Sequence, residues 1–312
     1  MIISATITKS VGGLFTIRTD ELYEGKREYD VRAKGSFKHD KITLLAGDRV
    51  DVEIDEHGEF FIKKIHTRKN SLIRPPLANI DIIFVVISCK KPAPVYETID
   101  KMIAIAEYNK IEPVIIITKS DLDPDFATEA YEIYSKSGFK TIVTSSELNE
   151  GCDCVLEYIK DVAQKNSTVF AFSGASGAGK STMINKLFPQ LSLETGDLSR
   201  KIERGKNTTR TTELFPLEIL LGEGYFGYLA DTPGFSLLDF ERFDFFSLDE
   251  LKDTFREFGE VEGKCRYTKC THTKEEGCNI IARVKTGDIA KSRHDSYIAL
   301  FNILKNKPKW KK

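Results

Sequence analysis

The chain changes its hydrophobic rhythm twice. Up to about residue 70, apolar and polar positions alternate in short runs. Residues 5–8 and 14–18 flank a turn at Gly12 and Gly13, residues 49–54 alternate one by one, and residues 59–65 follow a turn at His57 and Gly58. A period of two broken by closely spaced turns predicts strands that curl into a small β-barrel. An oligonucleotide-binding (OB-type) barrel is the leading form, because such barrels hold RNA. A plain barrel without a ligand would have the same pattern. Residues 68–76, polar and ending in Pro75 and Pro76, read as a linker.

From Ile80 the rhythm lengthens. Residues 80–87 form a nearly unbroken apolar run, as in a parallel strand buried on both faces. Val95, Ile99, Met102, Ile103 and Ala106 then recur at helical spacing. Strands at 113–117, 140–144 and 168–173 alternate with helices at 126–136 and 155–162. This alternation predicts an α/β fold with a doubly wound, mostly parallel sheet, whose ligands lie at the carboxyl ends of its strands. Helical patterns return at 280–284 and 296–304. The chain therefore divides into a barrel at 1–70, an α/β domain at 71–240 and a helical C-terminal domain at 241–312.

Composition narrows the functional classes. The 312 residues carry a net charge of −1, so no global field draws the protein to nucleic acid. Residues 1–70 hold 13 Lys and Arg against 12 Asp and Glu, which lends the barrel little basic character. From Lys285 onward the count is 8 against 2, and the tail mixes lysines with Trp310. That end is the best candidate for phosphate-backbone contact, or else a solvated terminus. No apolar run has the length of a membrane span, and the start at Met1 lacks a signal-peptide pattern. Six cysteines without an export signal predict free thiols in a reducing cytoplasm.

The α/β region carries the chemistry. Gly174, Ala175, Ser176, Gly177, Ala178, Gly179, Lys180 and Ser181 spell G-x-x-x-x-G-K-S between a strand and a helix that continues through Thr182. This is a phosphate-binding loop: glycines let backbone N–H groups turn toward phosphate oxygens, and the helix adds its positive end. Lys180 is expected on the β- and γ-phosphates and Ser181 on Mg²⁺. Thr118, Lys119, Ser120 and Asp121 follow a strand and match the guanine-reading pattern Asn-Lys-x-Asp, with Thr in place of Asn. A carboxylate at Asp121 accepts from the guanine ring N–H and amino group, a donor pair that adenine lacks. Ser145 and Ser146 follow the next strand, as a second guanine-contacting element. Asp231 and Gly234 open an Asp-x-x-Gly element, where Asp231 would hold Mg²⁺ through water and Gly234 would sense the γ-phosphate. The polar segment 204–212 reads as the first switch, with Thr209 as the expected Mg²⁺ ligand.

The order of these motifs is unusual. The guanine motifs precede the phosphate loop and the switch elements come last, so the GTPase domain is circularly permuted. Farther on, Cys265, Cys270, His272 and Cys278 supply three thiols and an imidazole, a closed structural zinc set.

A barrel, a permuted GTPase and a Cys-x4-Cys-x-His-x5-Cys region in this order resemble the RsgA family (also called YjeQ or YloQ). The resemblance extends to Gly47-Asp-Arg-Val50, Arg68-Lys-Asn70, Arg74-Pro75 and Cys265-Arg-Tyr267. It implies a cytoplasmic, monomeric GTPase that binds the small ribosomal subunit and its rRNA in the GTP form, assists late maturation of that subunit, and is stimulated by it. The family switch usually reads Gly-x-His-Thr-Thr, and here the His position is Asn207. Phe235 stands where many GTPases place a water-orienting Gln. With both groups weakened, intrinsic hydrolysis should be slow. Two other readings remain open from the residues: a GTP-gated RNA-binding module with incidental hydrolysis, and a regulatory GTPase with a protein partner.

Overall fold

The computed structural model describes residues 1–34, 37, 42–73, 75–191, 212–231, 246–259, 261 and 263–307, with the backbone alone at Asp231. Strands β1 (Ile2–Val11), β2 (Leu14–Tyr23), β3 (Lys26–Ala33), β4 (Arg49–Ile54) and β5 (Phe60–Ile65) run in the order β1-β2-β3-β5-β4, and β4 returns to pair with β1. The barrel is thereby closed, with β3 and β5 parallel and its other ladders antiparallel. Ala5, Ile7, Phe15, Ile17, Val31, Val50, Val52 and Ile62 fill its interior. They are the inward positions of the alternation, so the period-two pattern specifies the barrel wall directly.

The described part of 68–76 is paired and pinned where its prolines suggest an irregular linker, although Lys69, Ser71, Ile73 and Pro76 stay exposed. β6 (Ser71–Leu72) pairs with β7 (Leu77–Ala78). Arg68 donates to the fully buried Asp48 carboxylate at 2.6 and 2.8 Å and to the Thr43 carbonyl at 2.6 Å. The Asn70 side chain donates to the Ile80 carbonyl and accepts from the Ile80 N–H. Gly47 sits at φ 89°, and a methyl group there would run into the Ala78 carbonyl oxygen. The Gly47-Asp-Arg and Arg68-Lys-Asn signatures are thus two sides of one buried junction. Prolines break helices and ladders, but they do not prevent a turn from being pinned by a charged hydrogen-bond pair.

The α/β elements follow as β8 (Ile82–Ser88), α1 (Tyr96–Tyr108), β9 (Glu112–Thr118), α2 (Pro124–Lys136), β10 (Lys140–Val143), α3 (Cys152–Lys165), β11 (Thr168–Gly174) and α4 (Lys180–Leu187). Helix α2 starts two residues earlier than its apolar pattern because Asp123 caps the Phe126 N–H and Pro124 takes the first helical position. β12 (Glu213–Pro216), α5 (Leu217–Leu221) and β13 (Gly227–Asp231) come next, then α6 (Arg256–Gly259), α7 (Asn279–Thr286) and α8 (Lys291–Asn306).

The chain forms two compact units. One joins Met1–Ile82, Glu157–Phe172 and Gln190–Phe235. In it β11 pairs parallel with β13, β13 antiparallel with β12, and β12 antiparallel with β1 of the barrel. The other joins Ile83–Leu156, Ser173–Pro189 and Ser236–Lys312. In it strands run β10-β9-β8, with β9 and β10 parallel and with Ile83–Ile87 and Val114–Ile117 fully buried. Within this second unit α8 packs on α1 through a buried charge cluster. The Arg293 guanidinium, 0 % exposed, donates to Asp100 at 2.6 Å and to Glu257 at 2.7 and 3.1 Å, and Tyr134 donates to Asp100 at 3.1 Å. Among the described residues, no helix is long and apolar enough to cross a membrane.

Candidate functional site: a phosphate loop, a base-reading edge and a Cys3His cluster

The phosphate loop leaves the end of β11. Gly174 sits at φ 146°, and a side chain there would strike the Val86 carbonyl oxygen, so only glycine lets the loop turn against β8. Gly179 then takes φ 101° and opens α4 without a side-chain cap. Among the described residues no side chain caps the first-turn N–H groups, which suits an anion. The Lys180 ammonium bends over the loop to the Gly174 and Ala175 carbonyls, each at 2.8 Å. Burial lowers its pKa to about 8. Ser176, Gly177 and Thr182 are exposed, Ala175, Gly179 and Ser181 half-buried, and Ala178 buried.

The base-reading edge is fastened to this loop. Thr118, buried at the end of β9, has its hydroxyl 2.6 Å from the Ala178 carbonyl and 3.1 Å from that of Ile87. A hydroxyl has one proton, and the shorter contact claims it. The departure from Asn thus keeps a tie to the phosphate loop. Lys119 adopts the left-handed conformation, φ 58°, and its ammonium reaches the Gly177 carbonyl at 2.8 Å and that of Lys91. The Ser145 hydroxyl, fully buried, donates to Asp121 at 2.5 Å and accepts from the Leu148 N–H at 3.1 Å. Ser120 N–H reaches the Thr144 carbonyl at 3.3 Å, and Lys186 of α4 reaches the Ser146 carbonyl at 3.2 Å. One oxygen of Asp121 is thus oriented by Ser145, while Ser146 is exposed beside it.

The structure therefore brings together Thr118, Lys119, Ser120, Asp121, Ser145, Ser146 and the run from Gly174 to Thr182. Asn207, Thr209 and Gly234, with Phe235, lie outside the described residues. Asp231 is placed only as the last residue of β13, opposite Glu213. The last five residues of the basic tail are likewise outside.

The four cysteine-loop residues converge. One ligand atom from each of Cys265, Cys270, His272 and Cys278 lies within 4.8 Å of all the others. Cys265 and Cys278 sulfurs are 4.0 Å apart, and His272 Nδ1 is 3.7 and 3.5 Å from them. A tetrahedral ion with metal–sulfur bonds of about 2.3 Å would set two sulfurs about 3.8 Å apart, so the donor set fits a metal. Burial pushes the Cys270 thiol up to about 12 and raises Cys278 as well, so the thiolates need a cation beside them. Asn279 N–H points at the Cys265 sulfur at 3.4 Å.

Sequence reading had overlooked the residues that hold this loop. Burial opposes charge on Glu275, yet hydrogen bonds from the Thr271 hydroxyl and from the N–H groups of Thr271 and Lys274 hold it at about 2. His294 Nε2 meets the His272 carbonyl at 2.7 Å, and Tyr297 donates to that of Thr271 at 2.9 Å. Asp100 and Arg293 were also overlooked. Their signal was present: each is a charge on the apolar face of a helix, Asp100 beside Ile99 and Ile103, Arg293 four residues before Tyr297.

Two family models match the sequence: the RsgA N-terminal domain over residues 5–62 and the RsgA GTPase over residues 65–241. The Small ribosomal subunit biogenesis GTPase RsgA of Caldanaerobacter subterraneus subsp. tengcongensis is 36% identical over 308 residues, covering 98% of this chain and 97% of that one. The protein of the same name from Staphylococcus carnosus is 36% identical over 305 residues, covering 96% and 97%. The crystal structure of YjeQ from Thermotoga maritima superposes with a TM-score of 0.80 at 28% identity, covering 99% of this chain and 100% of that one. That of YloQ, a circularly permuted GTPase, gives 0.76 at 29% identity, covering 99% and 98%.

Proposed function

The chain belongs to the RsgA GTPase family, and on that premise we propose that it binds the small ribosomal subunit in its GTP form, assists a late step of subunit maturation, and hydrolyses GTP when the subunit stimulates it. It is a GTP-hydrolysing enzyme with a circularly permuted GTPase fold. The observation that carries the reading is the fastening of Thr118 and Lys119 to the phosphate loop, with Asp121 oriented by Ser145. One rigid edge then presents a carboxylate to the base and amides to the phosphates, a pairing that selects guanine nucleotides.

In this reading Gly174 to Thr182 hold the phosphates, Lys180 neutralises charge developing on the transferred phosphoryl group, and Ser181 and Thr209 ligate Mg²⁺. Asp231 holds that ion through water, Gly234 senses the γ-phosphate, and Asn207 orients the attacking water less well than an imidazole would. These switch assignments rest on the sequence motifs. Cys265, Cys270, His272 and Cys278 hold one structural zinc ion per chain, which supplies no open position for catalysis. The barrel at 1–70 and the C-terminal region at 241–312 flank the GTPase domain at 71–240, and both contact rRNA. The protein acts as a cytoplasmic monomer.

Single-turnover GTP hydrolysis with and without purified small subunits tests the proposal. Slow hydrolysis alone and a large acceleration, up to about 10³–10⁵ as for groups supplied in trans, are expected. A fast free enzyme that ignores subunits would refute it. Co-sedimentation with subunits in a non-hydrolysable GTP analogue and not in GDP is the companion result.

A further inference from the structure

Strand β1 breaks the alternation of a barrel strand. Ala5, Thr6, Ile7 and Thr8 are all buried, although Thr6 and Thr8 point away from the barrel interior. Outside the barrel β1 has a further neighbour along its edge. β12 pairs antiparallel with it, Lys9 opposite Glu213, and β12 also pairs with β13 from Glu213 opposite Asp231 to Pro216 opposite Tyr228. β12 begins directly after the segment read as the first switch, and β13 ends at the residue that opens the second.

Side-chain ion pairs reinforce this joint. Lys9 pairs with Glu213 at 2.7 Å. Arg18 and, at 3.4 Å, Arg27 share the Glu218 carboxylate in α5, the helix that continues β12. The Tyr228 phenol of β13 lies beside the Thr6 hydroxyl, which accepts from Arg49 at 3.1 Å. The Arg18 side chain is only 11% exposed, so leaving it without its carboxylate partners costs more than at a surface arginine.

We propose that this joint makes the barrel a sensor for the GTPase: rRNA contact on the barrel is passed through β1 to β12 and β13, and so to hydrolysis, with Glu213 and Glu218 as positioning residues. The inference rests on the reading that the small subunit stimulates this enzyme. A strand hydrogen-bonded along both edges cannot shift on one ladder without disturbing the other, and such a contiguous path can carry coupling. Because the β1–β12 bridge is a single residue pair, the ion pairs set its stiffness.

The test uses full-length protein and purified small subunits. Glu213→Lys sets two lysines against each other, Lys9→Glu in the same chain restores opposite charges, and Glu218→Gln removes the charge that Arg18 and Arg27 share. Basal hydrolysis and co-sedimentation should stay at the parent level in all three. Stimulation should fall at least about fivefold in Glu213→Lys and Glu218→Gln, the low end of an allosteric coupling, and return in the charge-swapped chain. Parent-like stimulation of both single variants would overturn the inference alone. Loss of basal hydrolysis or of binding in Glu213→Lys, unrecovered by the swap, would show a merely structural pair and also overturn it. A parent that subunits do not stimulate would overturn the functional reading and this inference together.

Discussion

Two loops in the same compact unit gather donors for a ligand, and they are built on opposite plans. In the phosphate loop the protein's own groups hold the shape. Lys180, Lys119 and Thr118 bond to the loop's carbonyls, and Gly174 and Gly179 supply the left-handed turns. Its donors are backbone amides, which need no deprotonation and repel nothing when empty-handed. In the Cys3His loop Glu275, His294 and Tyr297 arrange the backbone, but the ligands are three sulfurs crowded beside an imidazole. Burial makes charging the Cys270 and Cys278 sulfurs unfavourable until a cation joins them. On this plan a nucleotide would be a guest of a finished loop, whereas a metal held by the Cys3His cluster would complete one.

The largest expected effect breaks the metal side of the contrast. Structural zinc supplies about 10–16 kcal/mol of apparent binding energy in small metal domains, so chelation or Cys278→Ser should unfold the cysteine loop. Hydrogen exchange should report loss of amide protection around residues 263–290, while GTP affinity stays near that of the parent. Retained protection after verified metal removal would mean that Glu275 and its neighbours suffice.

A smaller effect asks what else holds the C-terminal region. Arg293→Met leaves Asp100 and Glu257 buried without their cation, and losing one partner of a buried ion pair costs about 3–5 kcal/mol. The denaturant midpoint should fall accordingly, with zinc content unchanged. A midpoint like the parent's would show that apolar packing on α1 carries the attachment alone.

On the nucleotide side, Asp121→Asn should leave stability untouched because the loop is held by other residues. Guanine affinity should fall by about tenfold to a hundredfold, the worth of a charge-assisted hydrogen-bond pair, and xanthine nucleotides should gain. Calorimetric titration with GTP and XTP decides it, and unchanged GTP preference would remove Asp121 from base recognition.

The smallest effect is a pH slope. Burial holds Lys180 at about 8, below an ordinary lysine, and a triphosphate beside it favours the charged form. Binding then takes up a proton above pH 8, so GTP affinity should be flat below about pH 7 and fall as pH rises through 8. Stability of the protein without nucleotide should move the other way. The unfolded chain binds more protons between about pH 8 and 10.4, so unfolding free energy rises there by this group's contribution. Lys180→Met should flatten both slopes, and a parent affinity that is level from pH 7 to 9 would contradict the assignment.

What the sequence by itself determined was whatever depends on near neighbours. A phosphate loop is glycines and backbone amides within eight residues, a metal set is four side chains within fourteen, and a barrel wall is a period of two. Each is complete before the chain folds further, and motif order then revealed the permutation. Tertiary structure decided the pairings that no local pattern encodes. Thr118 meets Ala178 across 60 positions and Arg293 meets Asp100 across 193. Asp48 reaches Arg68 through a stretch that reads as linker, and β1 of the barrel meets β12 across 204 positions. In each buried pair a polar residue had to leave water, and which partner made that tolerable depended on which faces the packed elements brought together.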